Sequence, residues 1–496
     1  MKLNSKKIFW VGFAFMIICI FWQVYDNIVA KMLINNFGLD QFWSGVVLAI
    51  DNILALFMLP LFGALSDKTK TRYGKRTPYI FLGTLVAALL FVGVAFFDNL
   101  QQKSVEDAGI PQVVEIVDDT NVNYGKFTFE GELCGEIGTK TYGTKEAAAS
   151  ARATVVFAHT KTDIKYFVLF MIILLLVLIA MATYRTPAVS LMPDVTPKPL
   201  RSKANAIINL MGTAGGIIAL IFPMIVLKFT DSYIAVFVVL AILMITFLGV
   251  FMLKVKEPKL VEEMHEESEK YGIEREISTP EDAKGHDMSP EVRKSFYLIL
   301  ASIIFWFMAY NAATSKFSVF AEDVLNMGYN VPLLIAQGAA VVSYIPIGII
   351  ASKRGRKRTI LVGIIILFTA FALGSIVAFT KIKPLIYVTM GIAGIGWATI
   401  NVNSYPMVVE MSKEGTIGKY TGYYYTASMF AQIITPMLSG AIMALINAKS
   451  PGLGYQFLFP YCVLFCIIAF ITMSRVKHGD SKPIPVKSIE AFDIDD

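Results

Sequence analysis

Charged residues are scarce in this chain. Asp, Glu, Lys and Arg together make up 17% of its 496 residues, whereas 55% are hydrophobic by type. Soluble domains carry about 25% charged residues and cannot cover so much apolar surface. A large soluble enzyme with buried helices would show polar stripes at helical period, and the run from residue 167 to residue 182 shows none. The apolar residues are therefore expected to face lipid.

Histidine and cysteine are also rare, and one nucleotide-binding motif is absent. The P-loop pattern G-x-x-x-x-G-K-[ST] does not occur, which excludes ATP-driven transport of that type. All four histidines lie outside the apolar runs, which argues against a metalloenzyme within the bilayer. Three of the four cysteines lie inside apolar runs, so no structural disulfide is expected. These residues are His159, His265, His286 and His478, and Cys19, Cys134, Cys462 and Cys466.

Twelve apolar runs are long enough to cross a membrane, which takes about 20 residues at 1.5 Å per residue. The first follows Lys2, Lys6 and Lys7, but it is longer than a signal-peptide core and lacks a small-residue cleavage site, so we expect it to be retained. The predicted spans are residues 8–34, 44–65, 78–97, 166–190, 204–228, 232–254, 295–320, 331–351, 359–380, 384–410, 420–447 and 456–474.

Basic residues predict the orientation of these spans, because Lys and Arg near span ends are retained in the cytoplasm. They cluster in the connections after spans two, four and eight, which all fall on one side of the membrane. Since the span number is even, both termini are predicted on that side too. The residues are Lys68, Lys70, Arg72, Lys75, Arg76, Lys198, Arg201, Lys203, Lys353, Arg354, Arg356, Lys357 and Arg358.

The chain divides into two groups of six spans, at 1–254 and 295–474, with a cytoplasmic tail at 475–496. The charged segment Glu257 to Pro290 predicts a cytoplasmic linker at 255–294. An external insert occupies 98–165, which is too long for a simple turn. Alternation over Lys126 to Glu132, with Phe127 and Phe129 on one face, favours a short strand there, and a disordered loop remains the alternative.

An internal repeat relates the two groups. A shift of 284 positions places Phe21, Trp22 and Asn27 on Phe305, Trp306 and Asn311, and a shift of 285 places Gly63 on Gly348 and Asp67 on Ser352. Two matches at nearly one offset, in corresponding spans, favour duplication over coincidence. We therefore predict an all-α membrane protein in which twelve transmembrane helices form two pseudo-symmetric six-helix bundles.

The loops after spans two and eight read GALSDKTKTRYGKRTP at 63–78 and GIIASKRGRKR at 348–358. They resemble the signature loops of the major facilitator superfamily. Residues 67–78 also resemble the loop D-x-T-x-x-R-x-G-[RK]-R-x-P of its glycoside-pentoside-hexuronide:cation symporters, and residues 187–205 and 403–422 resemble sucrose carriers. The resemblance implies the major facilitator fold, secondary active transport and a sugar or glycoside as substrate.

Two departures from these symporters bear on the coupling ion and the sugar. Melibiose-type carriers hold their coupling sodium with two aspartates on span two, where this chain has Ala55 and Leu59. Their acidic sugar ligand on span four corresponds to Arg185 here. The resemblance to these carriers therefore does not imply sodium coupling of that type, and it does not identify the sugar.

The signature loops suggest a cytoplasmic gate. Their glycines permit close helix packing, and Asp67 can accept charge-assisted hydrogen bonds from the arginines. The alternative is that these cations serve orientation alone. The predicted gate residues are Asp67, Arg72, Arg76, Asp194, Arg201, Arg356 and Glu410, with Asp194 expected beside Arg201 and Glu410 beside Lys413.

Asp26 and Asp51 are costly groups to place in a membrane, and each lies about 10 Å below the outer surface. Two carboxylates that share a weakly hydrated cavity cannot both ionise easily, so one of them should bind a proton near neutral pH. They are the predicted proton-coupling residues. The alternative is a water-exposed acid at a helix end, or pairing of Asp26 with Lys31.

A sugar site needs flat apolar surfaces for ring C–H groups, and amides or hydroxyls for the hydroxyl groups. Arg185 can donate paired hydrogen bonds to sugar hydroxyls, or it can extend to the inner surface instead. Each of the other residues can equally serve packing. The predicted substrate-binding residues are Trp22, Gln23, Asn27, Arg185, Trp306, Tyr310, Asn311, Asn401, Asn403 and Gln432.

Together these features predict a multi-pass protein of the cell membrane that imports a sugar or glycoside with protons by alternating access. Export of drugs or other small organic solutes is the alternative. We expect no enzymatic activity, no cofactor or metal beyond the coupling proton and no nucleic-acid partner. The expected partners are the substrate and the lipid bilayer, with the chain acting as a monomer.

Overall fold

The computed structural model of the protein describes residues 1–39, 41–110, 114–116, 126–133, 136–142, 145–230, 232–273, 289–450 and 453–480. Twelve helices in this part of the chain are long and apolar enough to cross a membrane, which confirms the predicted number. They are TM1 Ser5–Asn35, TM2 Trp43–Lys68, TM3 Thr77–Asp107, TM4 Lys165–Asp194, TM5 Lys198–Val226, TM6 Tyr233–Lys254, TM7 Pro290–Val319, TM8 Asn330–Arg354, TM9 Arg356–Thr380, TM10 Lys383–Glu410, TM11 Ile417–Ile446 and TM12 Gly454–Ser474.

The helices pack in the same pairs in each group of six. TM1 packs against TM5, and TM3 against TM4 and TM6; correspondingly, TM7 packs against TM11, and TM9 against TM10 and TM12. The main contacts between the N-terminal and C-terminal halves are TM2 with TM11 and TM5 with TM8. These two pairs have equivalent positions in the repeat, so the halves meet along matching surfaces.

TM3 extends ten residues beyond its predicted end at residue 97. The extension carries the buried polar residues Asp98 and Gln101, which a purely apolar criterion rejects. Asn36 donates a hydrogen bond to Asp98 Oδ1 at 2.9 Å, and Gln101 donates one to Thr160 Oγ1 at 2.9 Å. Protein contacts therefore take the place of water for the Asp98 carboxyl group and for the amide nitrogen of Gln101.

The predicted strand in the insert is confirmed, and it belongs to a small antiparallel sheet outside the twelve spans. The strands are β1 Val114–Ile116, β2 Lys126–Leu133 and β3 Glu136–Tyr142, in the order β1-β2-β3. In the register, Phe127 pairs with Glu115 on one side and with Tyr142 on the other. Cys134 lies outside the described residues.

A helix from Lys145 to Thr162, here called the insert helix, follows the sheet and packs on the end of TM1. Gly38 has a φ of +72°, and a Cβ at this position would lie 2.3 Å from the backbone nitrogen of Phe157. Arg152 Nη1 donates to the carbonyl of Asn35 at 2.6 Å. The insert helix is therefore held against the bundle by backbone contact that only glycine permits.

Candidate functional site

At the end of the bundle that carries the basic loops, here called the basic face, the two halves are in close contact at two helix crossings. A Cβ on Gly63 of TM2 would lie 2.1 Å from the carbonyl oxygen of Gly418 on TM11. A Cβ on Gly348 of TM8 would lie 2.9 Å from the Ala206 side chain on TM5. Both crossings thus bring a signature-loop glycine into contact with the opposite half.

Arg76 is the centre of a buried charge cluster within the N-terminal half. Its Nε contacts Asp194 at 2.7 Å, its Nη2 contacts Asp67 at 2.5 Å, and its Nη1 donates to Ser66 Oγ. Lys75 Nζ also pairs with Asp194, at 2.8 Å. Burial lowers the pKa of Arg76, but the carboxylates of Asp194 and Asp67 outweigh it and hold this pKa above its ordinary value.

Asp67 links this charge cluster to the C-terminal half. Its two carboxylate oxygens accept hydrogen bonds from the backbone nitrogens of Gly418 and Lys419, each at 2.9 Å. These nitrogens belong to the first turn of TM11, where backbone N–H groups have no partner within the helix. A carboxylate at a helix N-terminus is also favoured by the helix dipole. Asp67 therefore joins Arg76 to the N-terminus of TM11.

Arg356 is the corresponding cation of the C-terminal half. It contacts Glu410 at 2.8 Å within that half, and across the interface it donates to Ser202 Oγ at 3.1 Å and to the carbonyl of Lys198. Arg201 shares the same carboxylate, with a Glu410 distance of 3.6 Å. The two halves are therefore joined by charges at both of their contact surfaces.

Two expected pairings differ in the structure. Asp194 pairs with Arg76 and Lys75 rather than with Arg201, because Arg201 points toward Glu410 and the carbonyl of Pro193. Arg72 is exposed and stacks on its neighbour Tyr73, with its guanidinium carbon 4.7 Å from the ring centre. Arg76, not Arg72, is therefore the arginine of this loop that contacts Asp67.

Sequence reasoning missed two acidic residues that follow the last helix of each half. Glu257 is 2% exposed, and it accepts hydrogen bonds from the backbone nitrogens of Lys75, Arg76 and Thr77 at the start of TM3. Asp480 accepts hydrogen bonds from the backbone nitrogens of Arg356 and Lys357 at the start of TM9. The only sequence signal was a carboxylate shortly after TM6 and another shortly after TM12.

Replacing Glu257 by alanine should destabilise the protein by roughly 2 kcal/mol, because it leaves several buried N–H groups of TM3 without an acceptor. Thermal unfolding in detergent measures this effect as a fall in melting temperature. Glu266→Ala is the matched control, since Glu266 is exposed on the same linker helix, Glu257–Lys270. Equal melting temperatures for both variants would contradict the capping role.

Between the halves, nearer the middle of the bundle, Arg185 of TM4 lies between two aromatic rings. Its guanidinium carbon is 5.0 Å from the ring centre of Trp22 on TM1 and 4.9 Å from that of Tyr425 on TM11. Trp22 belongs to the N-terminal half and Tyr425 to the C-terminal half. Arg185 therefore occupies the interface rather than extending to the basic face, which was the alternative reading of this residue.

Asp26 and Asp51 lie close to this arginine. Both carboxylates interact electrostatically with Arg185 and with each other. Asp26 is exposed and Asp51 is half-buried. Among the described residues, neither forms an ion pair within 4.0 Å, and Lys31 is not a partner of Asp26. The structure thus brings two carboxylates and one guanidinium together without fixing the carboxylates in a salt bridge.

The remaining predicted substrate residues differ in their contacts and in their exposure. Tyr310 stacks on Trp397 with ring centres 3.9 Å apart, and Asn401 donates to Asn209 Oδ1 at 3.2 Å across the interface. Gln23, Asn311 and Gln432 are half-buried, while Asn27 is exposed and donates to the Gln23 carbonyl of its own helix.

Trp306 and Asn403 are completely buried. The repeat equated Trp306 with Trp22, and of these two Trp22 is the one that contacts Arg185. Sequence reasoning did not identify Tyr425, Trp397 or Asn209. Their only signal was an aromatic or amide side chain within a span, which many packing residues share.

Comparisons with known proteins agree with this architecture. The sequence profile described as "Major Facilitator Superfamily" matches residues 147–436 and 339–492, and the profile described as "MFS/sugar transport protein" matches residues 8–114. No curated protein matches the chain significantly.

Three kinds of solved structure share the fold. The proton:xylose symporter XylE is 14% identical, with a TM-score of 0.58 and coverage of 98% of both chains. A bacterial homologue of the iron transporter ferroportin has 10% identity, a TM-score of 0.62 and coverage of 96% of this chain and 99% of that one. The human organic anion transporter MFSD10 has 11% identity, a TM-score of 0.55 and coverage of 95% and 100%.

The superfamily profile spans more than half of the chain, and all three kinds of neighbour are transporters with the same fold. Twelve apolar helices make the protein an integral, multi-pass membrane protein. The chain belongs to the Major Facilitator Superfamily and is a membrane transporter rather than an enzyme.

Proposed function

We propose that this transporter imports a sugar or glycoside together with protons by alternating access. The observation that carries the proposal is the group formed by Asp26, Asp51 and Arg185 between the halves, beside aromatic rings from both of them. The carboxylates can exchange a proton, and the rings can pack against a sugar. Binding of both ligands at one place is what couples their movements.

Asp51 and Asp26 are the proposed proton-binding groups, because neither is neutralised by a salt bridge in the part of the chain that the structure describes. When both are ionised, they exceed the single charge of Arg185, so proton uptake brings the group closer to neutrality. A proton that moves down 100 mV supplies about 2.3 kcal/mol, enough for roughly fifty-fold accumulation of substrate.

The proposed sugar-binding surfaces come from both halves. Trp22 and the stacked pair Tyr310 and Trp397 offer flat apolar faces, and Asn401 with Asn209 offers amide groups. The match of residues 8–114 to a sugar-transport profile and the fold shared with a proton:xylose symporter support this substrate class. The missing sodium-type aspartates at Ala55 and Leu59 support protons as the coupling ion.

The conformation supports a rocking mechanism in which the basic face is the inner gate. In the part of the chain that the structure describes, the hydrogen bonds between the halves are found in the middle of the bundle and at the basic face. Opening this face must break the contacts of Asp67 with TM11 and of Arg356 with Ser202. The gate is therefore a set of contacts that can separate and re-form without touching the substrate.

Transport by membrane vesicles with an imposed proton gradient tests the function. We expect accumulation of at least one labelled sugar or glycoside from a panel, and loss of accumulation when a protonophore is added. Empty vesicles serve as the control. Uptake that follows sodium and ignores the protonophore would contradict the coupling, whereas proton-driven efflux of apolar cations would favour the exporter.

The proposed orientation places both termini and the linker in the cytoplasm and the insert outside, because basic loops are retained inside. Glu266→Cys on the linker helix and Asp107→Cys at the end of TM3 test it, since both side chains are exposed. In a protein otherwise lacking cysteine, a membrane-impermeant maleimide applied to intact cells should label only the Asp107 variant. Labelling of the Glu266 variant instead would reverse the orientation.

A further inference from the structure

Asp98 differs from the other buried carboxylic acids in its partners. Three such groups are almost completely buried in the part of the chain that the structure describes: Asp98, Asp194 and Glu257. Asp194 pairs with two cations, and Glu257 accepts several backbone hydrogen bonds. Asp98 is 1% exposed, has no ion pair among the described residues and accepts one hydrogen bond there, from Asn36. An ionised carboxylate at this position would be buried without a counter-charge, which is costly.

The next turn of TM3 carries a buried acceptor without a donor. Gln101 lies three residues after Asp98, and residues three apart are neighbours on a helix surface. Its amide nitrogen donates to Thr160 Oγ1, but its Oε1 has no hydrogen-bond partner, although the residue is completely buried. The two ends of this amide cannot be exchanged, because Thr160 Oγ1 already donates to the carbonyl of Val156 at 2.9 Å. A protonated Asp98 supplies the missing donor, whereas an ionised one adds only acceptors.

We infer that Asp98 is a proton-binding site, at which the protonated carboxyl group donates to Gln101 Oε1. The other carboxyl oxygen, Oδ1, accepts from Asn36. Both buried groups then have partners, and no charge is buried. The site shares no residue with the group of Asp26, Asp51 and Arg185, so it does not depend on the proposed transport of a sugar.

The proton site lies where the insert helix is fastened to the bundle. The amide of Gln101 joins TM3 to this helix, and Ser104 Oγ of TM3 lies 3.0 Å from His159 Nε2 of the insert helix. Asn36, the donor to Asp98, directly follows TM1. Ionisation of Asp98 requires water at the carboxylate, and water can enter only where these contacts loosen. Loss of the proton should therefore release the insert helix and the end of TM1 from TM3.

Other charged or titratable groups lie at this contact. Tyr233 at the start of TM6 interacts electrostatically with Asp98, and Arg152 of the insert helix interacts with Glu106. His159 belongs to the residue type that ordinarily changes its charge near neutral pH. A test of the proton site must therefore separate the effect of Asp98 from that of His159.

Thermal unfolding of the full chain in neutral detergent tests the proton. If only the folded protein holds it, the unfolding constant should rise up to tenfold per pH unit above about pH 4, until the folded protein also releases it. Asp98→Asn resembles the protonated acid and offers an N–H to Gln101 Oε1. This variant should be at least as stable as the wild type and should lose that part of the pH dependence, whereas Asp98→Ala should be less stable at every pH.

Asp194→Asn is the matched control, because Asp194 is also buried but is paired with cations, so its melting temperature should fall. His159→Gln should leave the difference between the wild type and Asp98→Asn in place. If Asp98→Asn destabilises the protein as Asp194→Asn does, Asp98 is ionised and the proton site is wrong. Stabilisation of the wild type by sodium chloride over choline chloride, lost in Asp98→Asn, would also overturn it in favour of a bound cation.

Labelling of the insert helix tests what the proton holds in place. Val156 is completely buried in an apolar cluster with Val105 of TM3, and Ala158 is exposed on the same helix. In a protein otherwise lacking cysteine, the maleimide labelling rate of Val156→Cys is divided by that of Ala158→Cys, which corrects for thiol reactivity at each pH. This ratio should rise severalfold from acidic to alkaline buffer and stay low when Asp98→Asn is added. A ratio that ignores pH, or that rises equally with Asp98→Asn, would contradict release of the helix.

Discussion

Replacing Asp51 by asparagine should abolish accumulation of substrate against a gradient while exchange of substrate across the membrane survives. Asparagine resembles the protonated carboxylic acid and cannot release a proton, so the variant remains in the proton-loaded state. Proton-loaded protein can still carry substrate back and forth. Measured in energised vesicles, the concentration ratio should fall to about one from the roughly fifty-fold that 100 mV permits.

Asp26→Asn is expected to act on the same process, because Asp26 shares the interface with Asp51 and Arg185. Asp26 interacts electrostatically with Asp51, and interacting carboxylates titrate as a pair, so either substitution should also shift the pH dependence of uptake. Asp107→Asn is the matched control, since Asp107 is exposed at the end of TM3. If both interface variants still accumulate substrate, these carboxylates do not couple transport to protons.

The twelve spans were predictable because each depends on local composition alone. A helix needs about 20 apolar residues to cross the hydrocarbon core, and such a run can be recognised in the sequence without knowledge of the rest of the chain. TM3 shows where the criterion fails. Its last turns carry Asp98 and Gln101, whose partners Asn36 and Thr160 lie about 60 residues away in sequence, so no local pattern could reveal that the helix continues.

The basic face was predictable in part. The signature loop singled out Gly63, Asp67 and Arg76, because its spacing reflects a turn that is repeated in both halves. Which arginine contacts which carboxylate was not predictable, and Asp194 and Arg201 have other partners than expected. Glu257 and Asp480 cap the N-termini of TM3 and TM9. These contacts depend on the path of the chain after TM6 and TM12, which the spacing of residues in the sequence does not reveal.

The interface between the halves was the least predictable region. Charges inside spans are rare, so Asp26, Asp51 and Arg185 stood out by their cost in a membrane. Aromatic residues are common in spans, and the repeat could not tell that Trp22 is half-buried and contacts Arg185, whereas Trp306 is completely buried. The direction in which a side chain points depends on the packing of neighbouring helices, as the contact of Tyr425 with Arg185 illustrates.

Substitution of Gly418 by leucine should prevent closure of the basic face and reduce the initial rate of transport. A Cβ at Gly418 would lie 2.3 Å from the carbonyl oxygen of Gly63 and 2.6 Å from Arg76 Nη1. Overpacking in a protein interior costs about 1–3 kcal/mol even where flexible side chains can move aside, and here the obstacle is backbone. A cost of about 3 kcal/mol disfavours the closed state by roughly a hundredfold.

Gly440→Leu is the matched control for this variant, because Gly440 lies on the same helix and a Cβ there meets nothing within 4 Å. Both proteins should fold and insert, but only Gly418→Leu should transport slowly. In Gly418→Leu, maleimide should label Ser190→Cys rapidly, since the interface that buries Ser190 stays open. If Gly418→Leu transports normally, or if Ser190→Cys stays protected in it, the contact between Gly63 and Gly418 does not control opening. Slow transport with rapid labelling is the expected result, because a carrier that cannot close its basic face cannot present an empty site to the opposite side of the membrane.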